Sequence, residues 1–179
     1  MAGSGRTRGA PGRSQARAYP RELGAASATP SRGSGQRRSL ARLLEDAAGR
    51  ITRLSASEAF AASSVDGQII DIRSHDAREL NGLIPGSLHI PRTVLEWRIA
   101  LDSPWRNRHL GGIDQRLILI CDHGYSSVLA ASNLVALGFE RTCDVIGGFE
   151  SWSRVGLPTA PSRRRCSPGG ALPGTGAPD

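Results

Sequence analysis

The chain has 179 residues, 39% of them apolar, and a formal net charge of +7, which accommodates one ordinary domain with tails and leaves little room for two. Three cysteines make an odd count without framework spacing, and four histidines are scattered, so neither a disulfide scaffold nor a structural zinc site is expected. No run of about 18 apolar residues occurs, so no membrane-spanning helix is expected.

Residues 1–38 consist of Gly, Ser, Ala, Pro and Arg with almost no large apolar side chains, and residues 161–179 are rich in Arg, Pro and Gly. Such segments cannot bury enough apolar surface to offset the entropy of ordering a backbone, so both are expected to be disordered tails around a domain over 39–160. Charge divides at the same places. All 23 basic residues are arginine; residues 1–40 carry a net +7, residues 41–160 hold 12 arginines against 14 acids, and residues 161–179 carry a net +2. The basic pI therefore describes the tails. Non-specific attraction of those tails to nucleic acid rests on composition alone, with Tyr19 the one aromatic of the N-terminal tail, so nucleic acid is not expected as a partner. Arg37-Arg38 looks like the start of a twin-arginine export signal, but Ala41–Asp46 carries charges where the apolar core should lie. A cytoplasmic location is the expectation.

From Ser39 onward, apolar residues at Leu40, Leu43, Leu44 and Ala47 predict a helix capped by Ser39 and ending near Gly49. Ile51 to Leu54 reads as a short extended piece. Ser55 and Glu58 have capping-box spacing and open a short helix ending near Ser63. Asp66-Gly67 turns the chain into a buried strand, Gln68 to Ile72, and His75 to Asn81 predicts a helical turn stopped at Gly82. Leu88-His89-Ile90 is extended. Thr93 to Leu101 reads as a helix capped by Thr93, with the apolar Val94, Trp97 and Leu101 on one side. A loop over 102–115 precedes the strongest strand, Arg116 to Ile120, which runs into Cys121. Ser127 to Leu137 is a helix ended by Gly138, Thr142 to Ile146 a strand, Gly147-Gly148 a turn, and Phe149 to Arg154 a short helix.

Strands alternating with helices imply an α/β fold, a central parallel sheet with helices on both faces. Active sites of such sheets lie beyond the carboxyl ends of the strands, and Cys121 is the reactive side chain at such an end.

Four segments, in order, resemble the rhodanese-like (sulfurtransferase) family. Ile70-Asp71-Ile72-Arg73 is similar to its Asp-x-Arg strand end. Gly82 to Pro91 is similar to its Gly-His-Ile-Pro-Gly-Ala segment, with Leu83 in place of His. Leu117–Ile120 followed by Cys121-Asp122-His123-Gly124-Tyr125-Ser126 looks like its strand and active-site loop. Ala130, Leu134 and Gly138, then Val145 to Trp152 and Gly156-Leu157-Pro158, match its closing signature. The resemblance covers roughly residues 52–160 and is greatest to short single-domain actinobacterial members. It implies a sulfurtransferase in which Cys121 carries sulfane sulfur as a persulfide between a small sulfur-containing anion, such as thiosulfate, and a thiol or cyanide acceptor. No metal or organic cofactor is expected.

Only a thiolate attacks sulfur, and a free thiol is mostly protonated at neutral pH. A loop curling from Cys121 to Ser126 turns successive N–H groups inward, and the helix from Ser127 adds the positive end of its dipole; both favour an anionic sulfur. Gly124 is where the curl calls for positive φ. The expected substrate-binding residues are thus Asp122, His123, Gly124, Tyr125, Ser126 and Ser127, with Arg98 and Arg92 as cations able to reach the pocket from neighbouring strand ends. Many family members place Arg in the loop where Ser126 and Asp122 stand here. A carboxylate beside Cys121 repels a doubly negative donor, which makes a weakly catalytic binding or redox-sensing module the alternative. Phosphatase relatives use Cys-x5-Arg; Ser127 occupies that spacing, so phosphatase activity is not expected. Asp71 and Arg73 are expected to form ion pairs inside the fold, and Trp97, Trp105 and Trp152 to line core or pocket. Cys143 is expected to be buried, and Cys166 reads as a stray tail thiol.

Overall fold

A computed structural model describes residues 39–162. The expected tails over 1–38 and 161–179, with Cys166, lie outside these residues except for Pro161 and Ser162. Five strands, β1 (Thr52–Leu54), β2 (Gly67–Asp71), β3 (Leu88–His89), β4 (Arg116–Ile120) and β5 (Thr142–Val145), form one sheet in the order β1-β5-β4-β2-β3. Every pairing is parallel. Six helices accompany it: α1 (Leu40–Ala48), α2 (Ala56–Ser63), α3 (His75–Asn81), α4 (Leu95–Ile99), α5 (Ser126–Ala136) and α6 (Gly148–Arg154). This is the α/β architecture expected from the strand–helix alternation.

Local chemistry explains where the helices begin. The Ser39 Oγ accepts from the Arg42 N–H, and Ser74 caps α3 by accepting from Ala77. At α2 the capping box is complete: Ser55 accepts from the Glu58 N–H, and the Glu58 carboxylate accepts from the Ser55 N–H at 2.8 Å. The Ser55 hydroxyl, donating to the same carboxylate at 2.7 Å, and then the Ser55 N–H hold the exposed Glu58 carboxyl below its ordinary value.

Each buried strand feeds two cores, because successive side chains point to opposite faces. On one face Leu117, Leu119 and Cys121 pack with Ile70, Ile72, Leu95, Ile99, Leu134 and Phe139. On the other, Ile118 and Ile120 pack with Ile69, Val145, Phe149 and Trp152. Trp152 is fully buried, meets Phe60 edge-on at 5.8 Å and donates its indole N–H to the Pro158 carbonyl.

The segment after Pro91 departs from expectation. Arg92–Val94 is a 3-10 turn, no side chain caps α4, and Leu95 and Ile99 face the core. Val94, Trp97 and Leu101, the apolar side read from spacing, are exposed, as is Trp105, against the expectation that Trp97 and Trp105 line core or pocket. A five-residue helix entered through a 3-10 turn changes its angular phase, so a face read from continuous 3.6-residue spacing comes out rotated. Of the three tryptophans, Trp152 alone is a core residue.

Candidate active site

The candidate site is the segment Cys121–Tyr125, between the carboxyl end of β4 and the first turn of α5. Its curl is set by its neighbours. The Cys121 and Asp122 carbonyls accept from the N–H groups of Phe149 and Glu150, at 2.8 and 3.0 Å, and so satisfy unpaired donors at the start of α6. Turning those carbonyls outward leaves the loop's N–H groups free to face the sulfur. Gly124 has φ +78°, and its N–H donates to the Cys121 Sγ at 3.1 Å. A Cβ there would lie 2.6 Å from the Gly147 N, so positive φ and close approach both require glycine. Gly148, at φ +60°, faces the same restriction from the other side, its Cβ position lying 2.4 Å from the Cys121 carbonyl oxygen.

Cys121 is 5% exposed, and the Ser127 Oγ lies 3.2 Å from its sulfur. Burial pushes the thiol pKa up, but hydrogen bonds from the Ser126 and Ser127 hydroxyls and from the Ser127 and Gly124 N–H groups outweigh it and hold the thiol below its ordinary value. Cys143, buried without such donors, is pushed up by desolvation. Two cysteines in one domain are thus set apart by hydrogen bonding rather than by depth.

The structure brings Cys121, Gly124, Ser126 and Ser127 together. Asp122 and His123, with Asn81, Phe149, Glu150, Ser153 and Arg154, line an open cavity of about 420 Å³. The Cys121 side chain does not line it. His123 Nδ1 lies 3.3 Å from a Glu150 carboxylate oxygen, so any positive charge on the ring is offset there. The same contact, followed by Arg154, keeps the Glu150 carboxyl low. Tyr125 is 67% exposed and caps nothing. Arg92 and Arg98 are turned to other partners: Arg92 pairs with Glu96 at 2.9 Å, and Arg98 donates to the Trp105 carbonyl at 2.8 Å. Among the described residues neither makes a hydrogen bond to the loop.

Arg53 approaches the loop instead. From β1 its Nη2 points at the Gly124 carbonyl, 3.4 Å away, while Nε and Nη2 hold Asp144 of β5 at 2.8 and 3.1 Å. Asp144 is fully buried, and its Oδ2 accepts from the Ser127 hydroxyl at 3.3 Å. Sequence reasoning missed both residues. One signal was present: an acid flanked by Cys143 and Val145 in a buried strand must have a partner. Asp71 and Arg73 do pair inside the fold, at 2.8 Å, with Arg78 as a second cation on Asp71 and Phe149 stacked beneath the Arg73 guanidinium.

Among the described residues no cluster of three or more metal-ligating side chains occurs, and no helix is long and apolar enough to cross a membrane.

A sequence model of the rhodanese-like domain matches residues 55–155. The thiosulfate sulfurtransferase GlpE of Stutzerimonas stutzeri is 35% identical over 100 residues, 56% of this chain and 83% of that protein. The adenylyltransferase and sulfurtransferase uba4 of Ogataea parapolymorpha is 32% identical over 93 residues, 52% of this chain but 22% of that protein, so the chain spans about a fifth of that relative. Among solved structures, a Rhodopseudomonas palustris protein of unknown function, termed a possible tyrosine phosphatase, is similar at TM-score 0.65 and 30% identity, covering 72% of this chain and all of that one.

Proposed function

The chain belongs to the rhodanese-like domain family, and we propose that it is a sulfurtransferase that carries sulfane sulfur on Cys121. The observation behind this reading is the set of donors converging on one buried sulfur at a strand end: the Gly124 N–H and the Ser126 and Ser127 hydroxyls. They favour sulfur as an anion, the form that attacks and the form that a persulfide takes.

In the first half-reaction the Cys121 thiolate attacks the outer sulfur of a donor. For thiosulfate, the sulfur–sulfur bond breaks, sulfite leaves with the bonding electron pair, and Cys121 becomes a persulfide anion. In the second, a thiolate or cyanide attacks the terminal sulfur and the Cys121 thiolate is regenerated. No net proton or electron is consumed. The donors that hold the thiolate suit the persulfide equally well, since both are sulfur anions needing hydrogen bonds in a partly desolvated site.

Donor preference follows from charge. Asp122 adjoins Cys121, His123 is tied to Glu150, and no loop arginine is present, so a doubly negative donor meets repulsion that a singly charged one avoids. We therefore assign thiosulfate as a poorer donor than a monoanionic sulfane-sulfur compound or persulfide. A cytoplasmic location fits the same reading, because Cys121 and Cys143 are free thiols and the chemistry needs Cys121 reduced.

The name of the Rhodopseudomonas palustris structure suggests phosphate-ester hydrolysis as a second reading. Clamping phosphate in this fold calls for an arginine where Ser127 stands, and the Ser127 hydroxyl is already held between Cys121 and Asp144.

The test is intact mass after incubation with thiosulfate, 3-mercaptopyruvate or an organic persulfide, alongside Cys121→Ser and a p-nitrophenyl phosphate control. A mass gain of one sulfur atom, lost in Cys121→Ser and removed by cyanide, is the expected outcome. No adduct from any donor sinks the sulfurtransferase reading, and turnover of the phosphate ester would replace it.

A further inference from the structure

We propose that Arg53 and Asp144, an ion pair reaching across from β1 and β5, are positioning residues for Cys121: Arg53 supplies the positive field that the loop's own side chains lack, and Asp144 holds the Ser127 hydroxyl until the sulfur becomes anionic and takes it. The inference rests on Cys121 as the reacting group.

The geometry begins in the sheet. β1 pairs in parallel with β5 so that Arg53 is level with Asp144, and β5 pairs with β4 so that Asp144 is level with Leu119, two residues before Cys121. Side chains level with each other share a face, so Arg53, Asp144 and Cys121 project to the side covered by α5. There α5 offers Ser127. Its Oγ lies 3.2 Å from the Cys121 Sγ and 3.3 Å from the Asp144 Oδ2.

A hydroxyl has one proton to donate. While Cys121 is a thiol, its S–H can donate to the Ser127 Oγ, and the Ser127 O–H donates to Asp144. Once the thiol proton has gone to solvent, the sulfur is only an acceptor and the Ser127 O–H turns to it. Asp144 then loses one hydrogen bond yet keeps both from Arg53, at 2.8 and 3.1 Å, so the buried carboxylate is not stranded. No proton is parked on Asp144, and the ion pair is unchanged in charge through the cycle.

Around the loop the other charged groups are Asp122 and His123 within it and Glu150 and Arg154 of α6, with Glu150 in contact with both His123 and Arg154. With Arg154 balanced by Glu150, these groups together supply no net positive charge. The Arg53 charge is paired with Asp144, but its Nη2 also reaches to 3.4 Å from the Gly124 carbonyl, at the back of the residue whose N–H meets the sulfur, so the cation of this pair adjoins the loop. The guanidinium is held protonated by its hydrogen bonds to Asp144 and also by the charge of Cys121, as an attraction between cation and thiolate requires.

The test is the pH dependence of iodoacetamide alkylation at Cys121, read by peptide mass on the full chain for wild type, Arg53→Gln, Arg53→Lys and Asp144→Asn, each checked by thermal melt. Alkylation follows the thiolate fraction. Arg53→Gln leaves an uncompensated acid near the sulfur and is expected to move the midpoint up by about one unit, roughly a tenfold loss of rate below it. Arg53→Lys keeps the charge and recovers most of that shift. Asp144→Asn removes the negative partner and moves the midpoint down. A merely structural pair would move both single variants the same way, since both break it. Shifts in the same direction, or a folded Arg53→Gln with an unmoved midpoint, overturn the proposal. If Arg53→Gln does not fold, Asp144→Asn decides, with a lowered midpoint in support and an unchanged or raised one against. Alkylation needs no sulfur donor, so absence of a sulfur adduct would remove the sulfurtransferase reading and leave this result standing.

Discussion

At the residue scale, Cys121 and Cys143 differ less in depth than in company. Both are 5% exposed, yet one is ringed by N–H and O–H donors and held below its ordinary value, while the other is raised by desolvation. The ring exists because the loop carbonyls are turned toward α6, and that depends on two glycines, Gly124 and Gly148, whose missing Cβ atoms let the loop and the start of α6 approach. Gly148→Ala tests this. Its Cβ would sit 2.4 Å from the Cys121 carbonyl oxygen on a residue at φ +60°, so the loop must shift or the helix must start later. Destabilisation of about 3 kcal/mol or more in urea unfolding is expected, together with a Cys121 alkylation midpoint moved toward that of a free thiol. A variant as stable as wild type with an unaltered midpoint would show that the close approach is not needed.

At the element scale, the caps were readable and one helix face was not. Ser39, Ser55 and Glu58 act within three residues of themselves, so their spacing carries the whole interaction, and α1 and α2 begin where those residues place them. The helix after Pro91 is different, because its phase is set by a 3-10 turn that sequence spacing does not encode. The rotation has a measurable consequence. Leu95→Ala is expected to cost about 2–5 kcal/mol of unfolding free energy as a fully buried residue. Trp97→Ala, at a residue 47% exposed, is expected to cost under about 1 kcal/mol. The opposite order in urea titrations would place Val94, Trp97 and Leu101 on the inner face.

At the scale of the molecule, the core residues on both faces of the sheet lie between Ala47 and Trp152, and the matched family region runs from 55 to 155. A chain of residues 39–162 is therefore expected to unfold in one cooperative transition with the full-length alkylation midpoint; a broad, non-cooperative melt would mean that residues outside this range are needed. Much of this was legible in the residues. Alternating strands and helices, with the Ile and Leu run of β4 leading into Cys121, pointed to a parallel sheet and to the end where the candidate site lies, since burial on both faces leaves a continuous apolar run. Gly124 announced a tight turn because only glycine takes positive φ without strain. What the residues could not announce was adjacency between distant strands. Arg53 and Asp144 are 91 positions apart and meet only because β1 crosses over to pair with β5, and Arg92 and Arg98, closer in sequence to the loop, find partners in Glu96 and the Trp105 carbonyl. Sequence by itself singled out Cys121 as the candidate nucleophile and showed how its loop must bend, because those are properties of neighbours along the chain. Tertiary structure alone decided which arginine stands near the sulfur, because a charge acts through space and strand order is set by crossovers that local spacing does not record.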